Sequence, residues 1–433
     1  MTGPPSPPDP PAHAAAPRPL GLHLWVGAMT WMSSPGASIA LKSASHIWSE
    51  VARAAEKNRP APGPEADGPS PSEWARLAHR VAGVDGVNLA RAVEAEARRR
   101  FATFLAGVRR YQGAARPARF SAGSAGPEPF RREGTTTVWD YGGTGQPVLL
   151  IPSLVNRAYI LDLNEEASLC RYLRRQGFRV FLVDWDAPGE LEMGFDLDDY
   201  IARRLGDVLE RIAVAAGCPV PLVGYCMGGN LALALALRKP AHVAGVSLLA
   251  TPWDFRTPDG GPTIPPAVLA ALAPMIERLG HLPVDGLQSL FALLDPQLVL
   301  RKFAAFAALE NSDRLRDFLH LEDWLNDGVA LAGKVAKECL LGWYGENTPA
   351  EGRWRVAGVT VDPSRLEVPT QVMIPAKDRI VPPPSARALA RQLPSGAEVL
   401  TPSLGHIGMI VGRRAPAQVW APLSRWLGEI GRS

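Results

Sequence analysis

Beyond residue 135 the chain alternates short apolar runs with longer amphipathic stretches. The runs 136–140, 147–151, 179–184, 220–224, 243–250, 370–375 and 397–401 have the length and bounding residues of strands. Between them, 165–176, 198–215, 230–238 and 385–392 carry apolar residues at helical spacing. Nearly continuous apolar strands separated by helices predict an α/β fold, a mostly parallel sheet with helices on both faces. The alternation lapses between about 255 and 366, where Leu, Ala and Phe recur without a clear strand. That stretch predicts a mainly helical cap, able to keep water from an active site or to make an oligomer contact. Trp324 and Asp327 are its first candidates for an effect on substrate, while His320 and Trp324 also fit plain helix packing, since residues four apart are neighbours.

The first third follows a different pattern. Residues 1–22 are rich in Pro and Ala and predict a disordered tail. A helical region over 23–115 follows. Its first piece carries Trp25, Met29, Trp31 and Met32, and Pro35-Gly36 predicts a break before a helix over 38–57. A linker near 59–72 is dense in Pro and Gly, and helices are predicted over 73–84 and 87–111. The aromatic piece reads first as packing on the catalytic domain, with docking to an apolar granule or partner as the alternative. The catalytic domain is placed at 116–433, with the cap at about 255–366.

Three loops carry the chemistry. Gly224-Tyr225-Cys226-Met227-Gly228-Gly229 directly follows an apolar run, the strand–turn–helix signature of a nucleophile elbow with cysteine as the nucleophile. A thiol at the start of a helix ionises more readily, and the thiolate is the reactive form. Taken alone, the motif could equally be a small buried core cysteine. Asp378 then follows the strand 370–375, and His406 lies on a loop after the strand 397–401. Nucleophile, acid, histidine is the chain order of this fold's triads, so His406 is the expected base and Asp378 its orienting carboxylate. Tyr141-Gly142-Gly143-Thr144-Gly145 resembles a phosphate loop but opens no helix, and reads as a hairpin turn. Asp254 reads as a helix cap or a functional group.

The elbow, Asp378-Arg379-Ile380-Val381-Pro382-Pro383, Gly405-His406-Ile407-Gly408, Ile160-Leu161-Asp162-Leu163 and Thr251-Pro252-Trp253-Asp254-Phe255 resemble, in order, the polyhydroxyalkanoate synthase family of α/β-hydrolases. The similarity runs from about 138 to near 412. Asn230 departs from it, standing where the family commonly has threonine. The resemblance implies an α/β-hydrolase fold with catalytic Cys226, Asp378 and His406, and oxyanion-hole amides at Met227 and Val155. It implies an acyltransferase that polymerises 3-hydroxyacyl-CoA through a cysteine thioester, with CoA as leaving group and no cofactor or metal. The implied partners are the growing polyester chain or granule, a second copy in a homodimer, and room for a second subunit. The implied location is the cytoplasm, with granule association.

Composition narrows the alternatives. A net charge of +3 over 433 residues gives no argument for nucleic acid. No apolar run is long enough for a membrane span, and the start of the chain lacks a secretory pattern. Cys170, Cys218, Cys226 and Cys339 show neither metal nor disulfide spacing, which fits a reducing cytoplasm. Two other functions stay open: a cysteine hydrolase, either thioesterase or polyester depolymerase, using the same triad on water, and a non-catalytic granule scaffold.

Overall fold

The computed structural model describes residues 16–43, 84–256 and 263–431, together with Arg76 and Arg80; the side chains of 34–43 and 294 are not described. Most of the expected tail, the 59–72 linker and most of the helices expected over 38–57 and 73–84 lie outside the described residues. The chain forms two compact units, one of residues 16–115 with 295–315, the other of 116–294 with 316–433.

The smaller unit is helical. Helix α1 (Leu20–Ser43) runs through Pro35-Gly36, where the sequence predicts a break. Packing against α2 (Gly86–Gly113) overrides the local signal, as tertiary context often does. Asp85 caps α2 by accepting the Asn88 N–H at 2.9 Å. The unit's core is Phe104 and Tyr111 of α2, each edge-on to Phe303 of the helix Leu298–Ala307. Residues 295–315, inside the expected cap, thus group with the N-terminal helices. The aromatic piece of α1 is only half absorbed: Trp31 stacks on Phe101, while Trp25 and Met32 are about 60% exposed, contrary to the expected burial.

The larger unit is built on one eight-stranded sheet. Its strands are β1 (Glu128–Glu133), β2 (Thr136–Asp140), β3 (Pro147–Ile151), β4 (Arg179–Asp184), β5 (Pro221–Tyr225), β6 (Gly245–Leu249), β7 (Thr370–Met373) and β8 (Glu398–Leu400). The spatial order is β1-β2-β4-β3-β5-β6-β7-β8, antiparallel at β1-β2-β4 and parallel beyond. The predicted strands are all present. β1 was not expected, because Glu-Pro-Phe-Arg-Arg-Glu is a polar edge strand without apolar alternation. β4 separates β2 from β3, so Tyr141–Gly145 is a crossing connection and not the expected hairpin turn. Local sequence carries no record of which strand slips between its neighbours.

Both faces of the sheet are covered. Leu149, Ile151 and Leu222 point into one apolar cluster, Val148, Leu150 and Val223 into another, the two-residue alternation of a strand buried on both sides. The first cluster takes α3 (Gly206–Ala216) and α4 (Met227–Arg238); the second takes the helices Leu169–Arg175 and Ala421–Ile430. Among the described residues of 255–366 the stretch is mainly helical, as expected, with two short strand pairs, His281–Leu282 with Leu331–Ala332 and Arg355–Val356 with Val359–Thr360. Its helix α5 (Ser312–Asn326) supplies residues 316–326 to this unit.

Arg204 pins the sheet's antiparallel edge. It is 3% exposed, donates to Thr136 Oγ1 at 2.7 Å and to the Glu133 carbonyl, and lies 3.4 Å from the buried Glu192 carboxylate. Removing one partner of a buried pair strands the other charge. Arg204→Ala is therefore expected to lower the unfolding free energy of this unit by about 3 kcal/mol, read as a fall in the urea midpoint.

Candidate active site

Cys226 sits at φ 56°, ψ −130°, between the end of β5 and the first turn of α4. Its N–H donates to the Leu249 carbonyl at 2.8 Å, which ties the elbow to β6. The flanking glycines are required by close approach. A Cβ on Gly224 would lie 2.7 Å from the Gly229 nitrogen, and one on Gly228 would lie 2.8 Å from the Ile151 carbonyl carbon and strike its oxygen. The thiol stands at the N-terminus of a twelve-residue helix and is partly exposed. Cys170 and Cys339, by contrast, are enclosed, and burial pushes both thiols well up from their ordinary range.

Asp378 and His406 come from the loops that follow β7 and β8. These loops are stitched together: Ala376 N–H donates to the Pro402 carbonyl and Lys377 N–H to the Leu404 carbonyl, each at 2.9 Å. Asp378 Oδ1 accepts the N–H groups of Ile380 and Val381, both at 2.8 Å, and Oδ2 meets His406 Nδ1 at 2.6 Å. The Asp378 side chain is wholly buried and that of His406 is 7% exposed. With Nδ1 engaged by Asp378, Nε2 is the ring atom left for Cys226, whose charge acts on the ring. Tyr225 lies tilted against the imidazole, centroids 5.2 Å apart, and donates its hydroxyl to the His406 carbonyl at 3.2 Å.

Burial works against charge on the His406 ring. The negative charge of Cys226, the Asp378 hydrogen bond and the Asp378 charge outweigh it, and hold the pKa up at about 10 against an ordinary 6.5.

The other expected site residues fall as follows. Met227 opens α4, so its N–H is among the unpaired amides of a helix start. Val155 lies on the loop leaving β3, its N–H held by Ser153 Oγ at 3.3 Å. Trp324 is buried, in the same apolar cluster as Tyr225, Leu404 and Met409, and donates to the Arg157 carbonyl at 2.8 Å. Asp327 meets Arg157 Nε at 3.3 Å and the Tyr159 hydroxyl at 3.2 Å. Both cap residues are thus joined to the loop after β3. His320 is buried and bridges: Nε2 donates to the Pro117 carbonyl, so Nδ1 accepts from Asn164 Nδ2 at 3.0 Å. Asp254 caps a turn at Arg256 and accepts from Asn347 Nδ2; among the described residues it caps no helix. Asn230, the departure noted above, donates to the Pro252 carbonyl at 2.8 Å behind the elbow.

One residue near the thiol was not anticipated. Tyr344 lies on the π-helix Glu338–Gly345, edge-on to Phe255 at 4.7 Å, and its hydroxyl pKa is raised first by burial and then by the charge of Cys226. No spacing or motif marks it; a π-turn, common at functional sites, shows only in coordinates. Among the described residues no cluster of three or more His, Cys, Asp or Glu could hold a metal ion, and no helix is long and apolar enough to cross a membrane.

A parallel sheet with an elbow at the end of β5 and acid and histidine after β7 and β8 defines an α/β-hydrolase-type protein, and the sequence model of the alpha/beta hydrolase fold matches residues 146–413. Within that class, three relatives are named poly(3-hydroxyalkanoate) polymerase subunit PhaC. That of Haloferax mediterranei is 32% identical over 65% of this chain and 58% of its own length. Those of Haloarcula marismortui and Synechocystis are 29% and 30% identical over 65% of this chain, and over 61% and 78% of their own lengths. The chain belongs to this polymerase family, and its match spans about three-fifths of the first two relatives.

The His406 charge makes a checkable statement about pH. Its folded value lies above the unfolded one, so the protonated ring contributes stability in full below about pH 6.5, and that contribution is lost as pH rises towards 10. Cys226→Ala removes the chief cause of the upward shift. In the variant the His406 NMR titration is expected to move down towards the ordinary histidine range. The fall in unfolding free energy between pH 7 and pH 10 is expected to flatten. A histidine titrating near 10 without the thiol would contradict Cys226 as the chief cause of the shift.

Proposed function

We propose that this protein is a polyester synthase: an acyltransferase that polymerises 3-hydroxyacyl-CoA through a thioester on Cys226. The observation that carries the reading is the Asp378–His406 pair beside an elbow cysteine, in a chain belonging to the polymerase family. His406 takes the Cys226 thiol proton, and the thiolate attacks the thioester carbonyl carbon of the substrate. The oxyanion that forms lies against the N–H groups of Met227 and Val155, and it displaces the weak Ser153 contact of the latter. The bond to CoA sulfur breaks, and His406 gives its proton to the departing thiolate. His406, now neutral, takes the proton of an incoming 3-hydroxyl group. That oxygen attacks the Cys226 thioester, an ester forms, and the cysteine leaves as thiolate. Asp378 fixes the ring tautomer throughout. A thioester intermediate keeps the acyl group activated, so transfer to an alcohol runs downhill. The helical stretch 255–366 limits access of water, the competing acceptor. All four cysteines are free thiols, in keeping with a reducing cytoplasm, and the polyester surface is the expected place of work.

Incubation of the purified protein with 3-hydroxybutyryl-CoA is expected to release CoA and deposit insoluble polyester. Free 3-hydroxy acid in proportion to CoA, with no polymer, would decide for the hydrolase. Cys226→Ala and His406→Ala are expected to cut CoA release by roughly 10⁴-fold or more, and Asp378→Asn by less. Iodoacetamide is expected to label Cys226 ahead of Cys170 and Cys339; equal labelling of the three would remove the assignment of the nucleophile.

A further inference from the structure

The loop that leaves β3 carries Val155 and, two residues on, Arg157. Arg157 is the meeting point of three segments. Its Nε lies 3.3 Å from Asp327 Oδ1, its Nη1 bonds Asp186 Oδ1 on the loop after β4, and its carbonyl accepts the Trp324 indole N–H at 2.8 Å. Tyr159 donates to the other Asp327 oxygen at 3.2 Å, and Asn156 forms an antiparallel bridge with Gly328. The residues on either side of Arg157 are therefore bound to the same short piece of chain, 324–328, at the end of α5. The pairing is also shielded: the Asp327 side chain is 9% exposed and that of Arg157 24%. Burial pushes Asp327 up from the usual carboxylate range while the Arg157 charge pulls it back. Asp186, which takes Nη1 of the guanidinium, sits in a left-handed conformation, φ 57°.

We propose that Arg157 is a positioning residue for acyl transfer. Clamped between Asp327 and Asp186, it sets the aim of the loop that offers the Val155 N–H to the acyl oxygen, and Asp327 and Trp324 act on the reaction through that loop. The inference rests on the acyl-transfer reading above. Two features point this way. The guanidinium has carboxylates on both sides, so it is engaged with the fold and not held ready for substrate. The Val155 N–H itself has only the 3.3 Å Ser153 contact, so the tethers just after it decide where it points. An oxyanion donor acts within a few tenths of an ångström of its proper place, and a shift of about 1 Å costs on the order of a hundredfold in rate.

The experiment compares two reactions of the same thiol in the full chain. Acylation by 3-hydroxybutyryl-CoA passes through an oxyanion. Alkylation by iodoacetamide forms a carbon–sulfur bond and expels iodide without one. Arg157→Ala is expected to lower kcat for CoA release by about ten- to a hundredfold, with KM and the Cys226 alkylation rate unchanged. Arg157→Lys, which keeps the charge but not the two-sided fork, is expected to recover part of the loss. Asp327→Asn is expected to show a smaller loss of the same kind and to add little on top of Arg157→Ala, since the two act as one unit. Alkylation falling in step with acylation, an unaltered kcat in Arg157→Ala, or fully additive losses would each overturn the positioning role. A wild-type protein that releases no CoA would instead remove the acyl-transfer reading itself, and this inference with it.

Discussion

Cys226 is held at φ 56°, ψ −130°, a conformation that costs a residue with a Cβ on the order of 1–3 kcal/mol, and the neighbouring structure is arranged to keep it there. Three constraints do so. The Leu249 carbonyl holds the Cys226 N–H from β6, the Gly224–Gly229 approach closes the turn, and Gly228 lets the first turn of α4 rest on the end of β3. β3, β5 and β6 are adjacent parallel strands in the middle of the sheet, the part buried on both faces. The strain is thus absorbed where the sheet is packed on both faces. It yields a thiol lifted clear of the sheet at a helix N-terminus, the end that favours an anion.

The electrostatics of the site follow from that placement. A buried histidine on its own would lose its proton more easily, since burial penalises charge. Here the charge of Cys226 and a fully enclosed carboxylate reverse the outcome. Asp378 has both oxygens engaged, Oδ1 by two backbone N–H groups and Oδ2 by the ring, so it cannot rotate away from His406. The backbone bonds between the two loops fix the spacing of Asp378 and His406 before any side chain is considered.

Around this centre the loop after β3, residues 116–120 and α5 form a second web. Arg116 pairs with Asp323, Arg119 donates to the Leu163 carbonyl and covers the Tyr159 ring, and His320 joins Asn164 to Pro117. The Asp162 carboxylate, within the same loop, takes the Tyr141 hydroxyl, Ser168 and Arg171. Buried polar groups of this kind are costly unless every partner is present. When complete, they give irregular backbone a single conformation. A loop that carries a proposed oxyanion donor is where such specification matters most.

The strand alternation, the elbow and the placing of Asp378 and His406 just past strands were legible in the sequence, because each is written in a few consecutive residues: an apolar run, a glycine-flanked cysteine, a polar residue just past a strand. The polar edge strand β1, the passage of β4 between β2 and β3, the unbroken α1 and the grouping of 295–315 with the N-terminal helices were not legible. Nor were the places of Tyr344 and Arg157. Trp324 and Asp327 could be named from the chain, but not the fact that they bind Arg157 and Tyr159. Strand order, helix continuity under packing and ion pairs between distant segments depend on which surfaces meet after collapse. Sequence by itself determined the local periods and the chemistry at the loop ends, since these arise from neighbouring residues. Tertiary structure alone decided which loops touch and how far each charge is shielded from water, since those energies exist only once remote parts of the chain are brought together.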